Sequence, residues 1–304
     1  MSILKSDLTT KSLFITIVGK PNVGKSSLLN AIIGQKLAIV SHKPQTTRNK
    51  ILGIFTDENI QLVFTDTPGI HVPNTHLGKY MVEEAEKSIT GVDACIHVIE
   101  AGKPISDIDE KLINKFKNSK IPVVLVINKI DLLSDKTIIA NQIEKMMNLF
   151  DYNAIIPISA KTNNGVNRLV SEIKKLSLPS IHFYPSDEFT DQPERALISE
   201  IVREKILRVV DKEIPHGIAV VTEKVKERNS TITDVSCVIY CERESHKGIV
   251  IGKNGDMLKR IGSYARQDIE NLLDKKVNLK LWVKVKEGWR NRDNILKNLG
   301  YHSE

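Results

Sequence analysis

The sequence predicts an α/β unit built on a mostly parallel sheet with one antiparallel strand, followed by a smaller α+β unit. Three observations predict it. Short β-branched runs alternate with helical patterns from Leu13 to Leu176, as in a sheet covered by helices on both faces. Two of those runs, Ile51–Phe55 and Ile60–Thr65, are joined only by Thr56–Asn59; that link is too short for a parallel crossover, so the pair is antiparallel. Beyond Pro193 the order changes to helix, strand, strand, helix, helix, strand.

Taken in order, Leu13–Val18 is a strand ending at Gly19, and Lys25–Ile33 is a helix. Strands follow at Ile51–Phe55, Ile60–Thr65, Ala94–Ile99, Val123–Ile127 and Ile155–Ile158. Helices lie near Lys79–Ser88, Ile108–Asn118, Lys136–Phe150 and Val166–Leu176. Pro179, Pro185 and Pro193 sit among Ser, Asp and aromatic residues and mark a linker. The second unit reads as a helix over Glu194–Val210, strands Ile218–Lys226 and Thr231–Cys241, and a short helix leading into Gly252. A helix over Asp256–Leu273, a strand Val277–Lys286 and a terminal helix near Arg292–Leu299 complete it. The organisation expected is a first domain over 11–180, a linker over 181–200, a second domain over 201–287, and a C-terminal helix and tail over 288–304.

Composition narrows the function classes. Hydrophobic residues at 41% and charged residues at 27% fit a globular chain, and 304 residues suffice for two domains. No apolar run reaches the roughly 20 residues that span a bilayer. The polar stretch ahead of Leu13 leaves no room for a signal or transit peptide, so a cytoplasmic protein is expected. Cys95, Cys237 and Cys241 are an odd number without a matching Cys/His pair, which reads as small, semi-buried residues rather than disulfides or a metal site. The net charge of +7 is uneven: residues 201–304 carry 21 basic and 15 acidic side chains, while residues 1–200 are nearly balanced. The second unit therefore has a polyanion as its expected partner, nucleic acid or an acidic membrane surface.

Gly19-Lys20-Pro21-Asn22-Val23-Gly24-Lys25-Ser26 matches G-x-x-x-x-G-K-[ST] between a strand and a helix, the setting that defines a P-loop. Its glycines let backbone N–H groups face phosphates, and the helix N-terminus adds positive charge. Lys25 can reach the β- and γ-phosphates and the Ser26 hydroxyl can ligate Mg²⁺. Asp66-Thr67-Pro68-Gly69 follows the strand Ile60–Thr65; Asp66 suits the second shell of the Mg²⁺, and Gly69 can bring its N–H to a γ-phosphate. Asn128-Lys129-Ile130-Asp131 is the N-K-x-D motif by which GTPases read guanine. A carboxylate at Asp131 accepts from N1–H and the exocyclic amine, a donor pair that adenine lacks. Ser159-Ala160-Lys161 fits the loop that backs the base. These motifs in this order define a P-loop GTPase domain.

Pro44-Gln45-Thr46-Thr47-Arg48, with Asn49 after it, resembles the first switch of GTPases. There a threonine hydroxyl completes the Mg²⁺ shell while GTP is bound; Thr47 is favoured, with Thr46 as the alternative. Ras-like proteins place a glutamine after D-x-x-G to orient water, but here the position is Ile70, so intrinsic hydrolysis is expected to be slow. Asn22 is the candidate for a monovalent cation, K⁺, as in related GTPases with asparagine there; a loop-capping role is the equal alternative.

In the second unit Gly252-Lys253-Asn254-Gly255 joins two helices after an apolar run. With the order helix, strand, strand, helix, G-x-x-G, helix, strand, this matches a type II KH domain, whose loop clamps the backbone of about four nucleotides. Lys247, Lys253, Lys259, Arg260 and Arg266 cluster around it as candidate phosphate contacts. Trp282 and Trp289 are candidates for stacking on bases, although Trp282 lies in a strand alternating with lysines, where a core role is at least as good a reading.

Over nearly its whole length the chain resembles the Era family of bacterial GTPases. The resemblance rests on G-K-P-N-V-G-K-S, Q-T-T-R, D-T-P-G-I, N-K-I-D and S-A-K in order, then V-I-G-K-N-G and Leu281-Trp282-Val283-Lys284-Val285-Lys286. It implies GTP hydrolysis to GDP, binding of small-subunit (16S) rRNA near its 3′ end, and action in 30S ribosomal subunit assembly with a link to the cell cycle. Some members associate peripherally with the inner membrane, and a monomer is expected here, although the sequence leaves the oligomeric state open.

Overall fold

The computed structural model describes residues 9–41, 43, 46–69, 73–210 and 214–301. Gln45 and Ile70, both singled out above, lie outside the described residues. The chain divides into two compact units. The first holds Met1–Ala38, Thr47–Val72 and Met81–Asp191; the second holds Ile39–Thr46, Pro73–Tyr80 and Gln192–Glu304.

Up to Lys174 the chain alternates strand and helix: β1 (Lys11–Val18), α1 (Lys25–Ile33), β2 (Ile51–Asp57), β3 (Ile60–Asp66), α2 (His76–Lys87), β4 (Ala94–Glu100), α3 (Asp107–Asn118), β5 (Val123–Asn128), α4 (Thr137–Met147), β6 (Ala154–Pro157) and α5 (Val166–Lys174), all in the first unit except the start of α2, which counts with the second. The strand order is β2-β3-β1-β4-β5-β6, and a two-residue strand β7 (Leu178–Pro179) pairs antiparallel with β1. β1 is parallel to both β3 and β4, while β2 and β3 form the expected antiparallel pair, Ile51 opposite Asp66. The chain leaves β1 toward one side and returns to its other side at β4. That reversal opens a crevice at the carboxyl ends of the strands, where such sheets bind ligands. β5 is buried along its entire length, as a strand covered on both faces must be. Leu28, Leu29, Leu169 and Ile173 of α1 and α5 pack in one hydrophobic cluster, and Leu112 and Phe116 of α3 in another. Ser106 caps α3 by accepting from the Asp109 N–H while Asp109 accepts from the Ser106 N–H, a reciprocal box that satisfies two orphan donors.

The stretch expected as a linker, 181–200, is divided. Its first part belongs to the first unit and is tied down by Gln61, a buried residue of β3. Gln61 Oε1 accepts from the N–H groups of Phe183 (2.8 Å) and Tyr184 (3.1 Å), and its Nε2 donates to the Tyr184 carbonyl at 2.9 Å. Its last part already starts α6 (Glu194–Val209) in the second unit.

The second unit continues with β8 (Ile218–Asn229), β9 (Ile232–Cys241), α7 (Glu244–Ile251), α8 (Asp256–Leu273), β10 (Lys276–Val285) and α9 (Asp293–Asn298). Its sheet has the order β10-β9-β8, with β8/β9 antiparallel and β9/β10 parallel. α6 and α8 pack on one face of this sheet through Ile198, Val202, Ile206, Ile261, Ala265 and Ile269. Cys237 and Cys241 are buried in that core and free, as is Cys95 in its own. α6 is buried nearly all round, including Arg203, Glu204 and Lys205. The segment Ile39–Thr46 counts with this unit: the Val40 N–H donates to Glu204 Oε1 at 3.4 Å, and Arg203 donates to the Thr46 carbonyl.

Candidate nucleotide site and RNA loop

The P-loop, D-T-P-G, N-K-I-D and S-A-K motifs lie at the carboxyl ends of β1, β3, β5 and β6, and the switch segment precedes the amino end of β2, where Ile51 pairs with Asp66. The loop after β1 needs its glycines. A Cβ on Gly19 would stand 2.3 Å from the Val98 carbonyl oxygen, and one on Gly24, at φ +101°, would stand 2.2 Å from Asn128 Nδ2. Gly69 presses on the same loop, its position for a Cβ being 2.8 Å from Pro21 Cα. Thr67, buried, anchors the loop after β3 by donating to the Ile17 carbonyl at 2.9 Å.

Lys25 is buried, and its ammonium donates to the carbonyls of Gly19 (3.2 Å) and Lys20 (3.0 Å). Burial lowers its pKa to about 8, against a counteracting pull from Asp66. Burial raises the Asp66 carboxyl above its ordinary value, with Lys25, Ser26 and Thr47 opposing. Each buried charge is short of solvation, which an anionic phosphate beside Lys25 and a cation beside Asp66 would supply.

Three oxygens converge on that point. Ser26 Oγ lies 2.6 Å from Asp66 Oδ2 and 2.8 Å from Thr47 Oγ1, and Thr47 Oγ1 lies 3.3 Å from Asp66 Oδ2. Asp66 Oδ1 is buried with no hydrogen-bond partner. One carboxylate and two hydroxyls are the hard oxygen donors that suit Mg²⁺, an ion that retains waters and takes few protein ligands. Among the described residues no cluster of three or more His, Cys, Asp or Glu side chains could hold another metal. The structure brings Thr47, and not Thr46, to this point: the Thr46 hydroxyl donates to the Lys43 carbonyl at 2.6 Å instead. Asn22 adopts a left-handed backbone, φ 65°. Arg48 is buried and Asn49 half-buried.

The base-reading loops meet at Asn128, which is buried. Its Nδ2 donates to the Val23 carbonyl at 2.9 Å, and its Oδ1 accepts from the Ala160 N–H at 3.0 Å. Ser159 Oγ donates to Asp131 Oδ1 at 2.6 Å, which orients the exposed carboxylate. Lys129, left-handed at φ 68°, extends to Glu100 Oε2 at 2.6 Å, while Ile130 opens a single 3₁₀ turn and Lys161 is exposed. Glu100 was missed from the sequence. It ends β4 and carries no motif of its own; only the strand order, which sets it opposite Asn128, reveals its place.

In the second unit the loop between α7 and α8 turns sharply. Gly252 and Gly255 are left-handed at φ 74° and 80°, and Asn254 between them is also left-handed at 53°. A Cβ on Gly252 would stand 2.6 Å from Met257 Cβ. Lys253, Asn254, Lys259 and Arg260 are exposed around the turn, with Arg260 over the Tyr264 ring at 5.7 Å. The two tryptophans separate. Trp289 is a core residue, 0% exposed, with its indole N–H on the Gly217 carbonyl at 3.0 Å, whereas Trp282 is 58% exposed.

A phosphate loop, a carboxylate-hydroxyl cluster and an ordered N-K-x-D carboxylate on a doubly wound sheet define the class as a P-loop GTPase. The profile of the 50S ribosome-binding GTPase family matches residues 14–129, and that of the KH domain matches residues 213–290. GTPase Era of Clostridioides difficile (strain 630) is 49% identical over 97% of this chain and 99% of its own. GTPase Era of Alkaliphilus metalliredigens (strain QYMF) is 49% identical over 97% and 100%. The chain belongs to the Era family of GTPases. Two solved structures extend the likeness. A variant of Aquifex aeolicus Era bound to GDP·AlF₄⁻ has a TM-score of 0.92 at 38% identity, and an Era in complex with MgGDPNP and nucleotides 1506–1542 of 16S ribosomal RNA has a TM-score of 0.91 at 39%. Each covers 97% of this chain and 100% of the other.

Proposed function

We propose that this GTPase binds small-subunit rRNA near its 3′ end through the Gly252–Gly255 loop and acts in assembly of the 30S subunit, with nucleotide state gating RNA binding. The observation that carries the RNA half is the loop itself: Gly252 and Gly255, both at positive φ, present backbone without side chains, and exposed cations surround it. Such a loop admits a phosphate backbone closely. The relative solved with 16S rRNA supports the choice of RNA. Nucleotide turnover is assigned to 11–180 and RNA binding to 201–287. A monomer in the cytoplasm belongs to the same proposal, and the family likeness alone supports a fraction at the inner membrane and a link to the cell cycle. Among the described residues no helix is long and apolar enough to cross a membrane.

At the nucleotide, backbone N–H groups of 19–26 and the Lys25 ammonium hold the phosphates, and Asp131 selects guanine. Ser26, Thr47 and Asp66 would hold Mg²⁺, which when bound neutralises charge on the β- and γ-phosphates. Thr47 and the Gly69 N–H sense the γ-phosphate and relax when it leaves. Asn22 is proposed to hold K⁺ as a positive charge near the transferring phosphoryl group. Equal turnover in potassium and sodium would remove that role.

The test is GTP turnover by the purified chain with and without an RNA matching the 3′ end of 16S rRNA, beside a Gly252→Asp/Gly255→Asp variant. Stimulation that the variant loses is expected. Intact RNA binding without stimulation would separate the two activities and defeat the gating.

A further inference from the structure

Trp282 is left unused by either site. It sits on β10, the edge strand of the second unit's sheet, where residues alternate between faces. Leu279, Leu281 and Val283 face the helices and join the core. Lys280, Trp282 and Lys284 face the other way, and all three are exposed. Their partners on β9 are Ser236, Val238 and Tyr240, and the next strand sets Lys224 opposite Ser236 and Lys226 opposite Asp234. Lys286 lies over the Tyr240 ring at 4.9 Å. Of the acidic residues near this face, Asp234 is already taken by Arg228 at 2.6 Å and by Asn278 at 2.8 Å, while Glu223 is exposed in the bulge of β8 beside Lys224. The result is an exposed indole set between lysines on a face where Lys224, Lys226, Lys280 and Lys284 outnumber the acids.

We propose that this face is a second RNA contact, with Trp282 stacking on an unpaired base while Lys280 and Lys284 hold the flanking phosphates. The chemistry is that of single-strand binding, in which aromatic faces take bases and cations track the backbone. The position fits as well. α8 begins at the G-x-x-G loop and packs on β10, a Cβ on Gly262 lying 3.4 Å from Leu281 Cδ1. Because β10 is the edge, RNA leaving the loop has no further strand to cross before reaching the far face. The loop clamps only about four nucleotides, so a longer RNA has chain to spare. This inference rests on the RNA reading above.

The chain has two tryptophans, and Trp289 is buried, so RNA-induced quenching of indole fluorescence reports Trp282. The full-length protein is titrated with RNA of the sequence 1506–1542 of 16S rRNA. Quenching is expected on binding. Trp282→Ala should bind about tenfold more weakly, the order of one lost stack, and Trp282→Phe should recover most of the loss. Lys280→Ala/Lys284→Ala should reduce the slope of log K against log salt by about 1.4, the share of two single-strand phosphates. Normal binding with silent fluorescence and an unaffected Trp282→Ala would overturn the second contact and leave the loop reading intact. Absence of RNA binding by the unaltered chain would overturn both. A Trp282 response to phosphatidylglycerol vesicles, with none to RNA, would assign the face to a membrane and overturn the proposal.

Discussion

At Asn128 one buried amide joins the phosphate loop, through Val23, to the base-backing loop, through Ala160. Replacing it with alanine leaves a carbonyl and an N–H unpaired, each worth about 1–3 kcal/mol if water cannot reach it. Asn128→Ala should therefore weaken GDP binding by roughly one to two orders of magnitude, read by titration with a fluorescent GDP analogue. Unchanged affinity would mean that the loops hold each other without it. Lys25 makes a prediction of the opposite kind. Its pKa is lowered to about 8, below the ordinary 10.5, by burial. Below pH 8 both folded and unfolded chains carry the proton, and the buried charge costs its full desolvation. Between about 8 and 10.5 the unfolded chain binds a proton that the folded chain has released, so stability rises with pH. The nucleotide-free protein should gain melting temperature over that window, and Lys25→Met should lack the gain. Bound nucleotide should suppress it too, since phosphate favours the charged amine.

At the scale of elements, what could be read in advance was what local chemistry decides. The P-loop lies at the junction of a strand and a helix, and Thr56–Asn59 is too short for anything but an antiparallel link. Helix ends near Lys136–Phe150 were overextended, because α4 stops at Met147 and the following residues form turns. Two features were not legible because their partners are remote in sequence. Gln61 looks like a misplaced polar residue in an apolar strand, yet it replaces the missing strand partners of residues 183 and 184. α6 places Arg203, Glu204 and Lys205 in a row, which reads as a solvated turn. All three are buried, and Glu204 accepts from Arg208 at 2.7 Å and Lys205 at 3.1 Å. Gln61→Ala should cost about 2–4 kcal/mol, as several hydrogen bonds to buried backbone go at once. Its loss should also raise amide exchange selectively over 181–190. Destabilisation without local exchange would place the role of Gln61 in the sheet alone.

At the scale of the molecule, the gating proposal is a statement about free-energy coupling, and coupling is reciprocal. If RNA tightens GTP binding by some factor over GDP, GTP must tighten RNA binding by the same factor. The chain suggests where to interrupt it. Thr46 counts with the second unit and Thr47 with the first, and the two are joined by one peptide bond. Arg203, itself held by Glu200 at 2.6 Å, donates to the Thr46 carbonyl, so it fixes the chain one residue before the hydroxyl that meets Ser26 and Asp66. Arg203→Ala releases that carbonyl and lets Thr47 sample positions away from the cluster. Glu204 keeps Lys205 and Arg208, so the fold should survive. Under the proposal that Thr47 acts in the GTP state, the expected loss falls on GTP rather than GDP. A three- to tenfold drop in their affinity ratio corresponds to about 1 kcal/mol, one hydrogen bond's worth. The gating proposal further expects the coupling itself to shrink: the factor by which RNA shifts the GTP/GDP affinity ratio, and with it the preference of RNA for the GTP-bound chain, should fall together. Equal losses for GTP and GDP would reduce Arg203 to a stabilising residue of α6. A changed nucleotide ratio with unchanged RNA preference would show that the two sites are not coupled through Thr46.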